Sequence, residues 1–226
     1  MLHPGPPGWG FCFGLTTHSC KYKSCYRNRY STTGREDSSR TEVMTYAGES
    51  LREASLPTHL LTTKSRTRIV ALLMSTEAPM ILMAWEPVSP WLMSARFNAN
   101  GRKITIIQCY APTNAAEEEE KEDFYSSLES LLDHTPRRDL RIIMRDLNAK
   151  GGDDNTNTGR HGVGSCNENG QLFTDFCDFN DHVIGGTAFP HKNIHKTTWT
   201  SPDGQTENKI DHITLARKWR RSLQDV

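Results

Sequence analysis

Apolar residues recur along this chain in two rhythms. Short greasy or alternating runs stand at 68–74 (RIVALLM), 91–98 (WLMSARFN), 103–110 (KITIIQCY) and 140–144 (LRIIM). Each has the length and composition of a strand. Ala99, Asn100, Gly101 and Arg102 separate the second run from the third and predict a hairpin turn. A longer rhythm follows. Phe124, Leu128, Leu131 and Leu132 fall at i, i+4, i+7 and i+8, one stripe of a helix that Asn114 can cap and Pro136 stops. Glu117 to Glu120 crowd its start, where the helix dipole favours negative charge. Beyond residue 144 a Gly/Asn/Asp loop runs from Gly151 to Asn167. A second helix fits 170–180, with Leu172, Phe173, Phe176 and Cys177 inward, and further strands fit 182–185, 197–200 and 209–216. Strands alternate with helices in part and follow one another directly in part, which predicts an α/β domain with a mixed sheet.

Residues 1–65 break the pattern. They are rich in Gly, Pro, Ser, Thr and Arg and hold no sustained apolar period, so the expected division is an irregular segment over 1–65 and a folded domain over 66–226. Tyr22, Tyr26 and Tyr30 alternate there with Lys21, Lys23, Arg27 and Arg29. That interleaving could stack on and neutralise a single nucleic-acid strand, but the favoured reading is a solvated arm.

Composition narrows the picture. The 226 residues carry 27 basic and 27 acidic side chains, so no net field draws the chain to a polyanion. The six cysteines lack the spacing of a disulfide framework or of a zinc site, which reads as reduced thiols in an intracellular protein. His18, Cys20 and Cys25 have no matching second pair of ligands. No run approaches the roughly 20 apolar residues that span a bilayer. MLHPGPPGWG lacks the basic start and unbroken apolar stretch of a signal peptide.

The chemistry concentrates at the end of one predicted strand. IIMRDLNAK (142–150) delivers Asp146 and Asn148 two positions apart, hence on one side of an extended chain. A carboxylate there can orient or deprotonate a nucleophile, and a carboxamide can hold a developing oxyanion. The same pair can instead close the strand in an Asx turn.

The order of segments favours the first use. QCYAPTN (108–114), IIMRDLNAK (142–150), TTWTSPDG (197–204) and NKIDHI (208–213), together with WEPVS, NENG and GGTAFPHKNIHK, resemble the endonuclease/exonuclease/phosphatase family. Within it the likeness is to the apurinic-type endonuclease domain of RTE- or BovB-like non-LTR retrotransposons and the craniofacial-development-type copies derived from them. It runs from about Arg68 to Val226. The resemblance implies a four-layer α/β sandwich of two mixed sheets, incomplete here, and hydrolysis of DNA phosphodiesters by a water activated with Mg2+ or Mn2+. It implies catalytic roles for Asp146, Asn148, Tyr110 and Asp211. It also implies DNA contacts from His191, Lys192, His195 and Lys196, and a nuclear protein that uses neither a membrane nor a small-molecule cofactor. Arg217, Lys218, Arg220 and Arg221 form a second basic group, a further phosphate contact or an ordinary solvated tail.

The departures bear on activity. Arg145 stands where the family places Gly. The family's opening strand with its Asn, its metal-binding Glu and its closing Ser-Asp-His are not found, so the metal ligands are unassigned and the chain reads as truncated at both ends. His212, in the IDHI segment, reads as a strand residue beside a site residue. The implied outcome is weak or absent nuclease activity. The alternatives are a catalytically dead remnant, either nucleic-acid-binding or inert, or a phosphomonoesterase.

Overall fold

The computed structural model describes residues 16–18, 25–29, 42–48, 59–64, 69–74, 78–99, 101–151, 161, 165–190, 196–201 and 205–223. Thirteen strands and two α-helices lie among them. Strands β1 (Thr16–His18), β2 (Cys25–Arg29), β3 (Glu42–Gly48), β4 (His59–Lys64) and β5 (Ile69–Met74) form one sheet in the order β1-β2-β3-β5-β4, antiparallel throughout. The segment expected to be irregular therefore contributes four strands. The boundary drawn after residue 65 falls between two neighbours of that sheet.

Strands β6 (Leu82–Ser89), β7 (Leu92–Ala99), β8 (Arg102–Tyr110), β9 (Leu140–Asp146), β10 (His182–Ile184) and β13 (Asp211–Ala216) make the second sheet, ordered β10-β13-β9-β8-β7-β6. It is mixed: β8 and β9 are parallel, the crossover running through helix α1 (Glu118–His134), and the other pairs are antiparallel. Strands β11 (Trp199–Thr200) and β12 (Glu207–Asn208) form a small separate ribbon.

Side-chain alternation gives the six-stranded sheet two apolar faces. On one, Met93, Ala95, Phe97, Ile104, Ile106, Ile142, Met144, Ile213 and Leu215 pack with Val70, Leu72 and Met74 of the other sheet. On the opposite face Ile107, Cys109, Ile143 and Leu147 pack under Phe124, Leu128 and Leu132 of α1 and Phe173, Phe176 and Cys177 of α2 (Glu168–Phe179). The described layers are thus helices, mixed sheet and antiparallel sheet. Among the described residues no α-helix covers the far side of the antiparallel sheet, so three of the four expected layers are seen.

Two polar clusters fix the ends of this arrangement. At the start of β9, Asp139 is buried and accepts hydrogen bonds from Arg96 (2.7 and 3.1 Å) and Thr105 (2.9 Å), while its carbonyl accepts from Trp219 (3.1 Å). Burial alone would raise the Asp139 carboxyl, but the bonds from Arg96 and Thr105 outweigh it and hold it below its ordinary value. At the other end, Lys121 of α1 is buried and pairs with Glu168 at the start of α2 (2.8 Å) and with Glu118 (3.5 Å). The helix starts are thereby held together on the side where β8 and β9 end.

Candidate active site at the strand tips

Parallel pairing of β8 with β9 sets Tyr110 beside Asp146, and antiparallel pairing of β9 with β13 sets Asp146 beside Asp211. Partners in register point to the same face. Phenol, carboxylate and carboxylate therefore form one row across three adjacent strands, about 10 Å from end to end. The row lies on the face turned toward the antiparallel sheet, since Ile106 and Met144 of the same parity belong to that core. Tyr110 and Asp146 are half-buried, and Asp211 is buried.

Asn148 completes the tip, and its conformation is unusual. Its φ is 47°, the left-handed region that Asn tolerates better than other side chains. Its backbone N–H donates to Asp146 Oδ1 (3.0 Å), and its Nδ2 donates to the carbonyl of Ala111 (2.8 Å). The pair thus forms the Asx turn and also stands at the row, so the two uses weighed from sequence coexist. The amide nitrogen is committed to the chain after β8. The side-chain oxygen is the part of Asn148 suited to an outside donor.

A second set of asparagines, to which sequence reasoning assigned no role, supports this loop. Asn167 caps α2: its Oδ1 accepts from Gly170 N–H (2.8 Å) and from Lys150 N–H (2.8 Å), and its Nδ2 donates to the carbonyl of Asn148 (3.2 Å). Asn169 is buried and donates to the carbonyl of Pro112 (2.9 Å). Its N–H donates to Asn114 Oδ1 (3.2 Å). Asn114 therefore does not cap α1, which starts at Glu118 after an extended Glu117 with no side-chain cap bond. The readable signal was Asn167 itself, a residue type that caps helices, one position before α2 begins.

β13 is anchored at its start. The N–H groups of Ile210 and Asp211 both donate to Thr198 Oγ1 (3.0 and 3.1 Å), and Leu147 N–H donates to the carbonyl of Ile210 (3.0 Å). His212 pairs in register with Arg145, in the row next to Asp211 and on the opposite face. Its Nε2 lies 2.7 Å from the carbonyl of Ala149, and its ring packs 5.0 Å from that of Phe173. Burial, with the charge of Lys209 adding to it, pushes His212 down to about 4, so at neutral pH it is an uncharged strut between β13 and the tip loop. That agrees with the strand-residue reading. Arg145 pairs in register with Cys109 as well, outside the row of Tyr110, Asp146 and Asp211.

The basic residues divide. His191, Lys192 and His195 lie outside the described residues. Lys196 is buried and donates to the carbonyl of His161 (2.9 Å). The second basic group follows β13 at its far end, some 20 Å from Asp211 at ~3.3 Å per residue. Arg217 pairs there with Asp181 (2.8 Å), and Lys218 donates to the carbonyl of Arg137, so this group is placed away from the row. Trp199 is half-buried on the small ribbon and outside both apolar clusters. Cys109 and Cys177 are buried free thiols and Cys166 an exposed one. Among the described residues no helix is long and apolar enough to cross a membrane.

The donor set of the row is oxygen only: two carboxylates, a phenol and a carboxamide. That chemistry fits a hard cation such as Mg2+, which takes one or two carboxylates and keeps several waters. Among the described residues no three His, Cys, Asp or Glu side chains converge on one point.

No family model matches the sequence. Over 137 residues, 60% of this chain, it is 42% identical to craniofacial development protein 2 of Tragulus javanicus and equally to that of Bos taurus. The chain spans about a quarter of the length of those relatives, 24% and 23%. Among solved structures it is similar to the endonuclease domain of TRAS1, a telomere-specific non-LTR retrotransposon. The TM-score is 0.51 at 11% identity, covering 71% of this chain and 67% of that one. It is also similar to an AP endonuclease of Leishmania major, with a TM-score of 0.52 at 10% identity, covering 72% and 63%. The chain has the fold of the endonuclease/exonuclease/phosphatase proteins.

Proposed function

We propose that the chain is an endonuclease-type domain of retrotransposon descent that hydrolyses DNA phosphodiesters with Mg2+ or Mn2+, weakly on its own. The observation that carries this reading is the row of Tyr110, Asp146 and Asp211 on three adjacent strands, with Asn148 at its tip. In-line hydrolysis needs a base for the attacking water, an oxygen that orients it and a donor to the phosphate. Asp146 serves as the base, Asn148 Oδ1 orients the water and the Tyr110 hydroxyl donates to a phosphate oxygen. Asp211 adds a second negative charge to the row and with it the oxygen chemistry that holds a cation. When bound, the divalent ion supplies Lewis-acid polarisation of the phosphate. The likeness to a retrotransposon endonuclease domain and to craniofacial development protein 2 supports the descent, and a DNA substrate places the work in the nucleus.

Incubation of the purified chain with supercoiled plasmid and Mg2+ tests the reading. Slow nicking is expected, lowered at least a hundredfold in Asp146→Ala. Nicking that persists unchanged in that variant refutes the assignment. A second reading, DNA binding without cleavage, is favoured by one detail: Asp146 Oδ1 and Asn148 Nδ2 are both bonded inside the protein. Retained oligonucleotide binding with no nicking at any metal concentration would select it.

A further inference from the structure

The mixed sheet has a second polar end, opposite the row. Three connections meet there: the turn between β7 and β8, the Pro136–Asp139 turn before β9, and the 3-10 helix Arg217–Ser222 after β13. They enclose a cavity of about 370 Å³ lined by Gly101, Arg102, Lys103, Arg138, Asp139 and Trp219. Trp219 ties the connections together. Its Nε1–H donates to the carbonyl of Asp139 (3.1 Å), and the Arg102 guanidinium lies over its ring, 5.0 Å from the centroid. The Lys218 ammonium lies 5.6 Å from the same centroid and donates to the carbonyl of Arg137. Gly101 turns the chain at φ 78°, and a Cβ there would meet nothing within 4 Å, so the cavity is open on that side.

The charge of this cavity is unbalanced. Arg102, Lys103 and Arg138 line it and Lys218 adjoins it, and among the described residues none of the four forms a salt bridge. The carboxylate of the lining, Asp139, is buried and already bonded to Arg96 and Thr105, and Lys103 acts on it only from longer range. Of the basic group after β13, Arg217 is spent on Asp181, whereas Lys218 joins the cavity. The indole serves as a scaffold that holds cations in place. Guanidinium groups in a concave site suit phosphate oxygens, which they take in a fork. A lipid surface would need apolar side chains to insert, and Trp219, the only one in the lining, is half-buried with its N–H engaged.

We propose that this cavity is a second nucleic-acid contact, taking a backbone phosphate of a strand that runs past the base of the sheet. Arg102 and Tyr110 are the two ends of the nine-residue β8, so roughly 25 Å, at ~3.3 Å per residue, separates this phosphate from one at the row. The cavity requires only phosphate chemistry. Nucleic acid as its source rests on the reading of the row as a nuclease.

The test is titration of the full chain into a fluorescein-labelled single-stranded DNA, without divalent metal, from about 50 to about 200 mM salt. In Arg102→Gln/Arg138→Gln the affinity at the lower salt is expected to fall about tenfold, and the slope of log affinity against log salt by about 1.4, two contacts at ~0.7 each. Arg102→Lys/Arg138→Lys retains the charge and therefore most of the slope. A slope as shallow with the Lys pair as with the Gln pair overturns the phosphate contact. Lys103→Gln, at an exposed position, lowers the slope by about 0.7 and decides the matter if the double variant does not fold. Wild-type slopes in Lys103→Gln and in the Gln pair overturn the proposal. So does binding to vesicles of phosphatidylserine and phosphatidylcholine that needs Arg102 and Arg138 while the oligonucleotide slope stays unchanged. Cavity-dependent oligonucleotide binding by a chain that nicks no plasmid with either metal refutes the nuclease reading and leaves the contact standing. Nicking with unchanged slopes does the reverse.

Discussion

Asn148 offers a clean separation of backbone from side-chain energetics. Its Nδ2 donates to the carbonyl of Ala111, a residue 1% exposed, at 2.8 Å. Removing the donor strands a buried acceptor, at about 1–2 kcal/mol. Asn148→Gly loses that bond and nothing else of substance, because φ of 47° suits glycine. Asn148→Ala loses the bond and also holds a Cβ in the left-handed region, at roughly 1 kcal/mol more. The expected losses are therefore about 1–2 kcal/mol for Gly and about 2–3 kcal/mol for Ala. Asn148→Asp keeps the shape and the tolerance of positive φ but turns an acceptor toward an acceptor, so it falls at least as low as Ala. Urea unfolding of the three variants at neutral pH measures all of this. If Gly and Ala fall within ~0.5 kcal/mol of each other, the backbone argument is wrong, and if both lie within ~0.5 kcal/mol of wild type, so is the bond to Ala111.

Three further outcomes follow from the same geometry. Gly170→Ala sets helix propensity, a gain of up to about 1 kcal/mol, against an overlap of the new Cβ with the Lys150 carbonyl and an approach of 2.9 Å to Cys166 Sγ. Backbone gives way poorly, so a net loss of about 2–3 kcal/mol is expected in thermal unfolding, and a stabilised variant would contradict the packing described. Asn169→Ala removes the bond to the Pro112 carbonyl, costs about 1–3 kcal/mol and slows nicking through the tip loop; unchanged stability would sink that role. Asp139→Asn weakens the cluster with Arg96 and Thr105 by about 2 kcal/mol at neutral pH, at the low end because Arg96 keeps 29% of its side chain in solvent. The Asp139 carboxyl is held below its ordinary 3.8, so its contribution is full above that value and is lost as pH falls through the lowered one. Urea unfolding from pH 7 down to 3 should show the two proteins converging in acid; a gap that widens there has the wrong sign.

Legibility in the sequence tracked burial. β5, β7, β8 and β9 present apolar residues to at least one packed layer, and α1 and α2 carry stripes that face the sheet, so periodicity exposed them. β6 has an exposed middle and contains Pro87, so nothing in its pattern marked it as a strand. The start of α1 was misplaced because Asn114, a residue type that caps, is used by Asn169 instead, and the acidic run at 118–120 faces the helix dipole without a side-chain cap. The residues of the row were readable by resemblance, but their adjacency was not. Tyr110, Asp146 and Asp211 are far apart in sequence and meet only through the order β8-β9-β13.

β6 forms one margin of the mixed sheet, and its register against β7 shifts twice, between Leu82 and Ala84 and between Pro87 and Ser89. An incoming chain seeking to extend the hydrogen-bond ladder there meets a proline with no N–H to give and two interruptions in eight residues. Met83, Trp85 and Val88 remain exposed along it, at 47%, 42% and 38%. Self-association through this margin is therefore limited to greasy contact without templating. Amorphous, detergent-reversible clumping is open to it, and fibril growth by strand addition is not.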